Sequence, residues 1–134
     1  MQYSTGIRNA QNDAMAAYVG QAPTLEVWTG EKPANCEAAD LGKLLASGVL
    51  PDDWMQSSTN GIISRNGNWI LTGTMTAGNG MPGGHFRIKR NGLCEIQGTF
   101  GEHLSNAEML VKLNMIAIGQ QVEVVAFNIK RGND

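Results

Sequence analysis

A surplus of basic charge is the first thing this 134-residue sequence lacks. Ten Lys and Arg face twelve Asp and Glu, for a formal net charge of −2. Nucleic-acid binders draw much of their affinity from neutralised phosphates, so no direct nucleic-acid contact is expected. The one basic run, Arg87, Lys89 and Arg90, reads as a solvated strand and hairpin tip. Long apolar runs are missing too: no segment approaches the ~20 residues of a membrane-spanning helix. Met1 to Ile7 shows neither the basic nor the apolar region of a secretory signal. The expectation is synthesis in a cytoplasm, with no membrane span.

Cysteine and histidine are scarce. Cys36 and Cys94 are the only cysteines, and a cytosolic origin favours two free thiols over one bond. Cys94 lies in an alternating pattern and reads as a buried small hydrophobe, whereas Cys36 sits in a turn-like stretch open to solvent. His85 and His103 have no metal-ligand spacing and read as strand-end or loop histidines. Metal and cofactor are therefore both expected to be none.

Catalytic spacing is also wanting. Asp52 and Asp53 are adjacent, and neighbouring side chains point apart, so they suit a turn or a helix start after Pro51. The run Gly78-Asn79-Gly80 with Gly83-Gly84 lacks the Lys and Ser/Thr ending of a phosphate-binding loop. Nucleophilic serine motifs are absent. No catalytic residue is assigned and a non-enzymatic role is expected. A small β-fold hydrolase would instead need His85 or His103 beside a carboxylate or metal in a concave pocket.

What the chain does have is glycine, seventeen residues against four prolines, within a composition that is 42% hydrophobic. Glycine weakens helix and strand interiors, so this richness implies short strands joined by tight turns. One helix is expected over 5–19, where Ile7, Ala10, Ala14, Ala17 and Tyr18 share an apolar face, with Thr5 as cap and Gly20 as stop. That face is thin and must pack on the domain or on a neighbouring subunit.

Beyond Gly20 the period changes to two. Leu25 to Thr29, Leu44 to Leu50, Ile62 to Ser64, Trp69 to Met75, His85 to Lys89, Cys94 to Thr99, Met109 to Met115 and Val122 to Ile129 read as strands. Residues 31–42 read as a long loop, with two helical turns over Ala38 to Ala46 as the alternative. Asn66-Gly67 and Asn91-Gly92 read as hairpin turns, and the tail Lys130 to Asp134 as polar. Both faces of the last strand are apolar, which predicts a central or covered position. The expected fold is all-β: a single domain over 1–134, an antiparallel β-sandwich or jelly-roll-like variant with a short N-terminal helix.

Six residues stand out as interface candidates: Ile7, Arg8 and Tyr18 on the helix, Cys36 in the long loop, and Trp28 and Trp54. Trp28 is out of phase with Leu25 and Val27, so it either meets a partner or lies under a loop. Trp54 and Trp69 also suit a small core.

The stretch Thr5-Gly6-Ile7-Arg8-Asn9-Ala10 followed by Asp13-Ala14 resembles the start of a group of small virion-associated proteins of tailed bacteriophages. So do Leu25-Glu26-Val27-Trp28-Thr29-Gly30-Glu31-Lys32-Pro33 and Gly42-Lys43-Leu44-Leu45-Ala46. Gly73-Thr74, Phe86-Arg87-Ile88, Gln97-Gly98-Thr99, Ile118-Gly119-Gln120 and Val122 to Phe127 carry the pattern to the end of the chain. Pro51-Asp52-Asp53-Trp54 and His85 depart from it. The resemblance implies a virion structural protein, made in the host cytoplasm and assembled as a homo-oligomer. Its implied partners are the major capsid protein, as a decoration or cement protein stabilising the particle, or tail proteins. In the tail setting it would be a baseplate β-module contacting a host receptor or glycan.

Overall fold

A computed structural model describes residues 1–132. The helix α1 spans Thr5–Val19 and is followed by β1 (Thr24–Trp28), β2 (Leu44–Val49), β3 (Ile62–Ser64) and β4 (Ile70–Gly73). Then come β5 (His85–Arg90), β6 (Leu93–Glu102), β7 (Met109–Val111) and β8 (Gln121–Lys130). Residues 31–42 form no helix, and the run expected to extend to Met115 stops at Val111. Of the expected polar tail, Lys130 closes β8, while Asn133 and Asp134 lie outside the described residues.

The expected sandwich does not form. Seven strands close into a barrel in the order β8-β4-β2-β1-β5-β6-β7, with β7 pairing back onto β8. All pairs in the ring are antiparallel except β6–β7, and β3 lies outside the ring, paired to β8. Alternation of apolar and polar residues is common to both architectures; what separates them is how far the strands bend. The ten-residue β8 pairs with β4 through Gln121–Glu123, with β7 through Val124–Phe127 and with β3 through Asn128–Lys130. A register shift skips Val125, and such bulges bend and twist a strand enough to close a sheet. It also explains the two apolar faces: Val122 and Val124 point inward before the shift and Phe127 after it.

The interior is built on Leu25, Val27, Leu45, Trp69, Leu71, Phe86, Ile88 and Val124, all essentially unexposed. Trp54, Trp69, Phe127 and Phe86 form a chain of ring contacts with centroids 5.3–5.9 Å apart. The barrel leaves no room at Gly73, where an added Cβ would meet the Ala117 carbonyl oxygen at 1.9 Å. Asn91-Gly92 makes the turn between β5 and β6, with both residues at positive φ. Asn66-Gly67 does not join a strand pair, because β3 and β4 both pair with β8 instead.

Candidate functional site

Two outer features of the barrel gather the candidate residues. The first is the face of β1, β5 and β6, crossed by residues 29–43 as a strap. Arg87 projects outward from β5, yet it is only 2% exposed because the strap covers it. Its Nη2 donates to the Cys36 carbonyl at 2.8 Å and the Ala38 carbonyl at 3.1 Å, and its Nη1 pairs with Asp40. This corrects the expectation of a solvated basic run; of the three, Arg90 alone is exposed.

Lys89 continues the network, its Nζ lying 2.8 Å from both Asp40 Oδ2 and Glu26 Oε1. Glu26 also accepts from Trp28 Nε1 at 3.2 Å, and Lys89 lies 5.7 Å over the Trp28 ring. Gln97 Nε2 donates to the Pro33 carbonyl at 2.8 Å. Burial opposes the charge on Asp40, but hydrogen bonds from Lys89 and Arg87 outweigh it and hold the carboxyl below its ordinary value. Burial likewise opposes the charges on Arg87 and Lys89, and their carboxylate partners raise both above the usual range.

Cys36 and Cys94 meet beside this network in a shallow depression of about 320 Å³. The inward phase expected for Cys94 fails because of a second bulge. Ile88 pairs with Ile96 while Lys89 pairs with Cys94, so Glu95 is skipped and Cys94 joins Lys89 on the outer face. Burial, with a hydrogen bond to Cys94, pushes the Cys36 thiol up to about 12. Both thiols are free and half-buried.

The second feature is α1. Ser4, not Thr5, caps it, accepting from the Ile7 amide at 3.1 Å. The helix is docked by its polar side, against expectation. Asn12, fully buried, donates from Nδ2 to the Gly61 carbonyl at 2.9 Å and to Ser58 Oγ at 3.0 Å. Asn9 Oδ1 accepts from the Gly61 amide and from Ser58 Oγ, and Asp13 Oδ1 from the Ser58 amide. Arg8 reaches the Arg131 carbonyl at 3.4 Å. Only Val19, with Met15 and Ala16, adds apolar packing against the core.

The opposite side of α1 therefore faces out. Ile7 is 49% and Tyr18 64% exposed, and Ala10, Ala14 and Ala17 between them are exposed. Arg90 donates to the Tyr18 carbonyl at 3.1 Å and lies 5.0 Å over its ring.

No protein family, curated protein or solved structure matches this chain.

Of the six candidates, Ile7 and Tyr18 share the outward helix face, Arg8 is engaged in docking, and Trp28 and Cys36 belong to the strapped face. Trp54 is 2% exposed and stacked on Trp69, so it belongs to the interior. His85 is buried, with Nδ1 2.9 Å from the Gly30 carbonyl, whereas His103 is exposed. Asp52 and Asp53 stand exposed in a turn. Among the described residues, no group of three or more His, Cys, Asp or Glu is gathered around a metal position.

The docking turn itself escaped the sequence reading. Thr59 and Ile62 exchange both backbone hydrogen bonds across Asn60-Gly61, whose positive φ angles are those of a tight hairpin turn. The Asn-Gly pair was the available signal.

Proposed function

We propose that this protein is a non-enzymatic structural subunit of a tailed-bacteriophage particle, a decoration or cement protein that attaches to shell subunits through the outward face of α1. The observation that carries the reading is the inversion of that helix. An amphipathic helix on a globular domain ordinarily turns its apolar stripe toward the core. Here polar side chains fasten the helix, and the stripe of Ile7, Ala10, Ala14, Ala17 and Tyr18 is left to solvent. A stripe kept apolar without a role in its own core fits a contact made with another protein. Attachment at many copies of a shell lattice would make a modest contact effective. The phage-like pattern along the chain supplies the setting.

A photo-cross-linking residue placed at Tyr18 in protein assembled into particles tests this. Products with the major shell subunit are expected. Products confined to tail proteins would replace the reading with that of a tail or baseplate module.

A further inference from the structure

We propose that Cys36 and Cys94 form a reversible intramolecular disulfide, which fastens the strap to β6 when the protein meets a disulfide oxidant such as oxidised glutathione. The inference does not depend on the particle role proposed above. It rests on how two distant segments are brought together. The bulge opposite Lys89 turns Cys94 to the outer face of β6, where an unbroken alternation would have pointed it into the barrel. Arg87 holds the strap from the other side through the carbonyls of Cys36 and Ala38, which fixes the backbone carrying the second thiol. Both thiols line one depression, which opens to solvent. The chain has no third cysteine to compete. Arg87 lines the same depression and offers a cation to a sulfur anion formed during exchange.

The chemistry is ordinary thiol–disulfide exchange. One protein thiol, as thiolate, attacks oxidised glutathione, forming a mixed disulfide and releasing one glutathione thiolate. The second protein thiol, having lost its proton, attacks the protein sulfur of that adduct. The Cys36–Cys94 bond forms and the second glutathione leaves. The protein gives up two electrons and two protons, and oxidised glutathione becomes two reduced molecules.

The test equilibrates the folded full chain with a glutathione redox buffer, followed by peptide mapping and thermal melting. Expected are a mapped Cys36–Cys94 peptide pair without retained glutathione, and a Tm higher by about 5–10 °C that a reductant reverses. Cys36→Ser and Cys94→Ser should each keep one glutathione that does not resolve. Cys36 lies in the strap, so its serine variant reports even where a change in β6 disturbs folding. Wild-type protein that keeps glutathione at either cysteine, keeps both thiols free, or links two chains would overturn the proposal.

Discussion

At Arg87 a guanidinium is carried on a strand, surrounded by protein on a face that would otherwise be solvent, and paired there with Asp40. Removing one partner of such a group leaves a covered charge, which costs more than the pair contributes when intact. Asp40→Asn should therefore lower stability on the order of 1 kcal/mol, the exposed part of the carboxylate reducing the effect. It should also speed amide exchange over residues 31–42. The pH dependence follows from the depressed carboxyl. Its contribution is present above the ordinary value of 3.8 and is lost as pH falls through the lower value of the folded protein. Wild type and Asp40→Asn should differ at neutral pH and converge in acid, as measured by chemical denaturation across pH. None of this was legible in the sequence, because no local pattern pairs residues 47 positions apart. Cys94 was misread for a related reason: period-two alternation holds only until a bulge interrupts it.

Among the elements, α1 shows what spacing can and cannot tell. Its extent followed from apolar residues three and four apart and from Gly20, and the helix runs over Thr5–Val19. Its orientation did not follow, since a stripe of alanines competes poorly with a buried asparagine that finds two partners. Asn12→Ala removes the Gly61 and Ser58 contacts and should cost about 1–2 kcal/mol, with faster proteolysis of the N-terminal segment. Changing Ile7 and Tyr18 together to serine should alter stability by less than about 1 kcal/mol. The same pair of changes should abolish attachment to particles. A large loss of stability in that variant, read by thermal melting, would mean the stripe serves the fold. The strands were largely legible because glycine and Asn-Gly steps punctuate them. Their partners were not: β3 and β4 flank a clear Asn-Gly pair and still turn to β8.

For the whole molecule, the reading of many short antiparallel strands led to a sandwich, and the structure is a closed seven-stranded barrel with one parallel pair. Two packed sheets and a barrel present the same inward and outward alternation. The difference lies in register shifts within β2, β6 and β8 that single-chain periodicity does not display. Closure leaves the ring without free edges, so surface function falls to what is added outside it: the strap on one side and the helix at one end. The opposite end carries its own exposed apolar residues, among them Met75, Leu113, Met115 and Ile118, and is the natural rival for attachment. The most direct measurement is a density map of the intact particle into which the barrel can be fitted. The account predicts copies seated on the shell with Ile7 and Tyr18 against shell subunits. Copies placed around the tail axis, copies attached by the opposite end, or particles without this protein would contradict it.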